Sequence, residues 1–144
     1  MKPFTTPLRV RFGDIDGAGV AYYPRIVDFL HVAFEEFFER EVGVPYPVWI
    51  GRRRIGFPTV RLEAEFRIPL RHGDRPRAAI RCEGIGRSSI RLRIDLLLPR
   101  RRRPAVTARL TVVAVDLRRF RPVGIPSAVR RAFAGRLSAR PAPR

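Results

Sequence analysis

The stretch Arg11-Phe12-Gly13-Asp14-Ile15-Asp16-Gly17-Ala18-Gly19-Val20-Ala21-Tyr22-Tyr23-Pro24 concentrates the residue types that do chemistry in this chain. Asp14 and Asp16, with Gly17 and Gly19, come just ahead of a long amphipathic segment. A carboxylate held in a tight turn can serve as base or nucleophile. The N-terminus of a following helix offers free N–H groups to a carbonyl oxygen. Together the two features suit hydrolysis. On spacing alone either aspartate reads equally well as a turn residue, since Asp is common in turns. Gly17 and Gly19 permit positive φ or close ligand approach, and a bare turn asks for the same residues.

The elements that must hold this loop follow from periodicity. Leu8, Val10 and Phe12 alternate with basic residues, which predicts a half-buried strand. Pro24 suits the first turn of a helix. Ile26, Phe29, Leu30, Ala33, Phe34, Phe37 and Phe38 then recur at helical spacing, and Gly43 is a natural stop. About 19 residues at ~1.5 Å each give a helix close to ~30 Å long, enough to span a sheet. Residues 44–55 read as a loop with one helical turn. Four strands follow, over 58–68, 77–84, 88–98 and 105–117. The second bends near Gly84 to Gly86, and the last is apolar enough from Leu110 to Val115 to be central. Arg100 to Arg103 form an exposed hairpin connection. Ile125 to Phe133 predicts a short helix with Ser127 as its cap. One domain over 1–134 and a frayed tail over 135–144 complete the reading. Strands that run on after a single helix indicate an α+β antiparallel architecture, with the sheet around the apolar face of the helix.

Composition bounds the function classes. The chain has 144 residues, with Lys+Arg 30 against Asp+Glu 13 and a formal net charge of +17. Only Lys2 is a lysine, and Asn and Gln are absent, so part of the charge reflects a compositional bias toward arginine. The remainder allows an anionic partner such as a phosphorylated cofactor. No aromatic-basic RNA motif accompanies it, which weighs against nucleic acid. Cys82 is the single cysteine and excludes an intrachain disulfide or a cysteine metal site. His31 and His72 lack ligand spacing and read as structural. Ser88 and Ser89 have no Ser/His/Asp context. Gly84-Ile85-Gly86 is too short for a dinucleotide fingerprint. No secretory h-region is expected, and no apolar run approaches the ~20 residues of a membrane span. A cytoplasmic setting without a membrane partner is the expectation.

The segment Phe12 to Pro24, with Gly56-Phe57-Pro58, Pro69-Leu70-Arg71-His72-Gly73-Asp74 and Gly86-Arg87-Ser88-Ser89 following in order, resembles the hotdog-fold acyl-CoA thioesterases. It is most similar to the 4-hydroxybenzoyl-CoA thioesterases of the Pseudomonas type. The likeness covers Leu8 to Phe133. Tol-Pal-associated relatives carry Tyr-His where this chain has Tyr22-Tyr23, and that departure favours the 4-hydroxybenzoyl-CoA branch. The resemblance implies a hotdog fold, β-α-β-β-β-β. It implies Asp16 as the catalytic carboxylate and the backbone N–H of Tyr23 as the group that polarises the thioester carbonyl. It implies Gly19, Arg87, Ser88 and Ser89 on the acyl-CoA substrate, and a homodimer or homotetramer with sites at the subunit interface. The chemistry needs neither metal nor cofactor. Asp14 is expected to support the loop, and Arg87 to face the CoA phosphates or solvent.

An aspartate side chain in water is ionised at neutral pH, so a nucleophilic role requires no activating partner. Direct attack through an anhydride and activation of water both remain open. Two rivals stand beside hydrolysis. A hotdog hydratase uses an Asp/His pair, and no histidine lies beside Asp16 in sequence. A non-catalytic acyl-CoA or nucleic-acid binding module draws support from the arginine excess.

Overall fold

The helix and strand patterns resolve into one sheet around one helix. The computed structural model describes residues 2–138. Its strands are β1 (Phe4–Pro7), β2 (Ile55–Gly56), β3 (Thr59–Phe66), β4 (Arg77–Ile85), β5 (Ser89–Leu97), β6 (Val106–Val113), β7 (Val115–Asp116) and β8 (Arg121–Pro122). Its helices are α1 (Tyr23–Phe37), the single turn α2 (Tyr46–Val48) and α3 (Ser127–Ala134). The main sheet is antiparallel, in the order β1-β4-β5-β6-β3, and β2, β7 and β8 form a small second sheet.

Alternation along the strands puts Ile80 and Cys82 of β4, Ile90 to Leu96 at every second position of β5, and Val106 and Ala108 of β6 on the buried face. Against that face α1 buries Ile26, Phe29, Leu30, Ala33, Phe34 and Phe37. Phe37 stacks on Phe133 of α3 at 4.2 Å and meets Phe4 edge-on at 5.3 Å. α1 continues through a π-wound turn, Phe38–Val42, and stops at Gly43, whose φ of 79° is the left-handed conformation expected of that glycine.

Several expectations are corrected. The first ladder lies at Phe4–Pro7 against β4, upstream of Leu8 to Phe12. Leu8 and Val10 are still buried, and their N–H groups reach the carbonyls of Pro76 and Asp74. Phe12 is 79% exposed, because the chain turns into a 3₁₀ segment at Phe12–Asp14 and swings it off the strand face. The last strand divides at Ala114, so β7 joins the small sheet. Ser127 does not cap α3; Pro126 holds the cap position and no side chain bonds there. The stretch 135–138 is tied down: Arg136 accepts the Cys82 N–H, Ser138 donates to the Cys82 carbonyl, and the Arg136 guanidinium pairs with Glu41 at 2.8 Å. Residues 139–144 of the expected tail lie outside the described residues.

The largest difference concerns β3. Its alternating Val60, Leu62, Ala64 and Phe66 predict a half-buried strand, yet Val60 is 62% and Phe66 49% exposed. β3 is an edge strand, paired on one side by β6 alone. A row of backbone groups and apolar side chains is left open there, which is the hallmark of a pairing edge.

Candidate active site

The loop ahead of α1 is a small hairpin. Ile15 and Ala21 form an antiparallel bridge, Asp16 N–H donates to the Val20 carbonyl at 2.9 Å, and Tyr22 N–H donates to the Asp14 carbonyl at 2.8 Å. Gly19 closes the tip by donating to the Asp16 carbonyl, with φ of 80°. That conformation favours glycine, so this position is fixed by backbone geometry. The hairpin is anchored to the sheet where Ala21 N–H meets the Leu70 carbonyl at 2.7 Å.

Each of the two carboxylates accepts one local backbone N–H. Asp14 Oδ2 accepts the Arg11 N–H at 2.8 Å, which holds the loop entry as expected. Asp16 Oδ1 accepts the Ala18 N–H at 2.8 Å, so Asp16 does perform the turn role that spacing alone suggests. Its other oxygen, Oδ2, has no hydrogen-bond partner among the described residues. The turn therefore orients the carboxylate and leaves one oxygen on the exposed side.

The first turn of α1 offers one donor. Arg25 and Ile26 both donate to the Tyr22 carbonyl. Pro24 has no N–H. Tyr23 N–H finds no acceptor among the described residues, and the positive end of the helix adds to its pull on an oxygen. The loop thus sets an ionisable oxygen and an unused N–H on the two arms of one hairpin. The Phe12, Tyr22 and Tyr23 rings stand exposed around it.

The Gly86-to-Ser89 turn joins β4 to β5. Gly86 N–H donates to the Ser89 carbonyl at 2.8 Å, and a Cβ on Gly86 would lie 2.7 Å from Ser89 Oγ. The Arg130 guanidinium of α3 donates to the Gly86 and Arg87 carbonyls at 2.8 and 3.2 Å. Ile125 and Ala114 N–H groups take the remaining sides of Arg87 and Ser88. All of these bonds engage carbonyls. The N–H groups of Arg87 and Ser88 donate to no acceptor among the described residues, and the Arg87 side chain is exposed. Successive free N–H groups beside a guanidinium suit a phosphate. Arg130 escapes a reading of the sequence, because its partners lie more than forty positions away.

One chain does not bring these two clusters together. The hairpin with Asp16, Gly19 and Tyr23 is tied to Leu70, beyond the Phe66 end of β3. The turn with Arg87, Ser88 and Ser89 lies level with the Thr59 end, through the Ser89–Val113 and Thr59–Val112 pairings. The eight residues of β3 separate them by roughly 25 Å at ~3.3 Å per residue.

Comparison with known proteins identifies the family. The model of the thioesterase-like superfamily matches residues 10–133. A 1,4-dihydroxy-2-naphthoyl-CoA hydrolase of Synechococcus sp. (strain CC9605) is 30% identical over 126 residues, covering 85% of this chain and 83% of its own. The solved structure of a gentisyl-coenzyme A thioesterase superposes with a TM-score of 0.81 at 28% identity, covering 90% of this chain and 99% of its own. A Synechocystis 1,4-dihydroxy-2-naphthoyl-CoA thioesterase shares the fold, with a TM-score of 0.83 at 21% identity, over 91% of this chain and 95% of its own. The fold and these relatives define a hotdog protein of the thioester-hydrolase class. The chain belongs to the thioesterase-like superfamily. No helix among the described residues is long and apolar enough to cross a membrane.

Proposed function

We propose that the protein hydrolyses a hydroxyaroyl-CoA to the free acid and CoA. Asp16 Oδ2 is the reacting oxygen and the Tyr23 N–H is the oxyanion donor. The observation that carries the reading is the pairing of that unbonded oxygen with that unbonded N–H on one hairpin. In the direct route Oδ2 attacks the thioester carbonyl carbon and the oxyanion forms at the Tyr23 N–H, where a fixed donor is most effective. The C–S bond then breaks, and the thiolate of CoA departs and is protonated by solvent. Water hydrolyses the resulting anhydride and restores the carboxylate. In the other route Oδ2 takes a proton from the attacking water, and the same N–H serves the same oxyanion.

Hydroxylated aromatic acyl groups recur in the names of the relatives, a dihydroxynaphthoyl-CoA hydrolase and a gentisyl-CoA thioesterase. The 4-hydroxybenzoyl group suggested by the Tyr22-Tyr23 pair belongs to the same chemical class. Arg87, Ser88 and Ser89 hold the CoA phosphates, and a second copy of the chain supplies them. Two β3 edges paired antiparallel about a two-fold axis bring the Thr59 end of one chain beside the Phe66 end of the other. The long arm of CoA then spans from the turn of one subunit to the hairpin of its partner. The separation of the two clusters within one chain supports this homodimer, as do the exposed Val60 and Phe66.

A panel of CoA thioesters with detection of the freed thiol tests the proposal. Release of CoA from hydroxybenzoyl- or hydroxynaphthoyl-CoA, faster than from aliphatic thioesters, is expected. Tight binding without release would instead make the protein a binding module.

A further inference from the structure

The small sheet of β2, β7 and β8 carries a surface that the hydrolytic reading does not use. Its register pairs Ile55 with Asp116 and Asp116 with Arg121. The entry to β2 and the turn between β7 and β8 therefore lie at one end of it. Arg52, Arg53 and Arg54 occupy the entry, and Arg118, Arg119 and Arg121 surround the turn, all of them exposed. Neighbouring strands lie ~4.8 Å apart, so the two outer strands are separated by roughly 10 Å, about one Debye length. The charges act as one patch. Residues 42–62 contain no acid, and none follows Asp116 in the sequence. None of these guanidiniums pairs with a carboxylate among the described residues. Asp116 Oδ1 instead accepts the Arg118 N–H at 2.9 Å.

Phe120 stands in that turn and is 70% exposed. Its φ of 54°, like the 55° of Arg54, lies in the left-handed region, an outlier for a bulky side chain. The turn is nonetheless held in place. Leu117 N–H donates to the Arg54 carbonyl at 2.9 Å, and Leu117 lies so close to Gly56 that a Cβ there would be 2.9 Å from its Cδ2. The Arg53 guanidinium sits 4.3 Å from the centre of the buried Trp49 ring. A fixed, exposed aromatic ring collared by unpaired cations contributes nothing to the core, and its strained backbone is a cost of the kind that persists at functional surfaces.

We propose that this end of the small sheet docks on an anionic phospholipid bilayer, with Phe120 entering the headgroup boundary and the surrounding arginines on lipid phosphates. A cluster of about four to eight basic residues at a membrane surface recognises anionic lipid. An apolar anchor beside such a cluster binds more stably than either alone, and Phe is one of the side chains that bury at the headgroup–acyl boundary. A single-stranded nucleic acid asks instead for a row of stacking rings along a groove, and Trp49 and Phe57 in these segments are buried. The contact is peripheral, so it needs no spanning segment. It is independent of the hydrolytic mechanism.

The test is co-sedimentation of the full chain with vesicles of phosphatidylcholine, alone or mixed with phosphatidylglycerol. Binding to the mixed vesicles, and not to phosphatidylcholine alone, is expected. Arg118→Ser with Arg119→Ser is expected to weaken it at least about 10-fold, since each basic residue at the surface adds about fivefold. Phe120→Gly leaves the charge intact and is expected to weaken it about 10-fold through the lost ring. Its melting temperature should hold or rise, because glycine adopts the left-handed conformation freely. Arg101→Ser with Arg102→Ser removes equal charge from the β5–β6 connection, at the far end of both strands and beyond a Debye length, and is expected to leave binding within about two-fold. Equal losses in the two double variants would reduce the effect to net charge and overturn the docking site. Equal binding to both vesicle types, or wild-type binding by Phe120→Gly, would overturn it as well. Hydrolysis of a soluble hydroxybenzoyl-CoA is expected to be unchanged in every variant; a matching loss in Phe120→Gly would assign the turn to the substrate and not to lipid. Displacement of the vesicles by an RNA oligonucleotide that loses affinity in the same variants would assign the patch to nucleic acid and refute the bilayer.

Discussion

The Asp14 carbonyl accepts the N–H of Tyr22 at 2.8 Å, so the residue that caps α1 is satisfied by the loop that carries the carboxylates. The next N–H along the chain, that of Tyr23, is then the first one left over. Pro24 and the bonds of Arg25 and Ile26 to Tyr22 remove its neighbours from competition. The motif thus builds both arms of the hairpin, and the Leu70 carbonyl, through the Ala21 N–H, fixes it to the sheet.

A backbone donor can be deleted by proline. Tyr23 is the first helical residue, where proline is tolerated, and Tyr22 already has φ −67° and ψ 129°, the extended conformation that precedes proline. Tyr23→Pro is expected to fold and to lose about 10²- to 10³-fold in kcat, the usual loss for one oxyanion donor. Tyr23→Phe removes only the phenol and is expected to stay within a few-fold of wild type. Equal losses in both variants would transfer the role to the side chain.

Exposed charge pairs are screened by salt over a Debye length of ~10 Å at 0.1 M. Raising the salt concentration is expected to raise KM more than it lowers kcat, because Arg87 is exposed and the phosphate contact proposed for it is electrostatic. Arg87→Ala should raise KM and flatten its salt dependence. Arg130→Met should also raise KM, since the Gly86 and Arg87 carbonyls lose their clamp. A KM insensitive to both salt and Arg87→Ala would remove this turn from the site.

Wild type is expected to be at least a dimer by light scattering. Val60→Asp with Phe66→Asp puts charge on the open edge of β3 and is expected to give a monomer with little activity. A monomeric wild type with full activity would refute the shared site.

Burial raises the pKa of the Cys82 thiol and of the Tyr46 phenol. Both groups are neutral in the folded state, and raising their pKa favours that neutral form. Their contribution to stability is fully present below the unfolded pKa values of 9.0 and 10.0 and is lost as pH rises through the higher folded values. Thermal melts are expected to hold steady from pH 7 to about 8.5 and to fall at higher pH. Thiol reagents should label Cys82 only as the protein unfolds. Rapid labelling of the native protein would show that β4 opens.

The helix and its stop were legible in the sequence because they are local. The apolar stripe from Ile26 to Phe38 and the glycine at position 43 need no tertiary information. Asp14 as the brace of the loop was legible for the same reason. The edge position of β3 was not, because Val60, Leu62 and Phe66 alternate as any half-buried strand does, and only the sheet order reveals that no strand of this chain among the described residues pairs on its outer side. Phe12 misled because its alternation with Leu8 and Val10 continues for one residue after the backbone has turned.

The central claim is that Asp16 carries the chemistry. Asp16→Asn keeps the side chain's shape and an oxygen for the Ala18 N–H, so the turn and substrate binding should persist. The deciding measurement is single-turnover hydrolysis of a hydroxybenzoyl-CoA by folded Asp16→Asn protein. A fall of at least ~10²-fold with binding retained is the expected result, the lower end of what a positioned carboxylate contributes. Turnover near the wild-type rate would return Asp16 to a turn residue, and the hydrolytic mechanism built on it would be wrong.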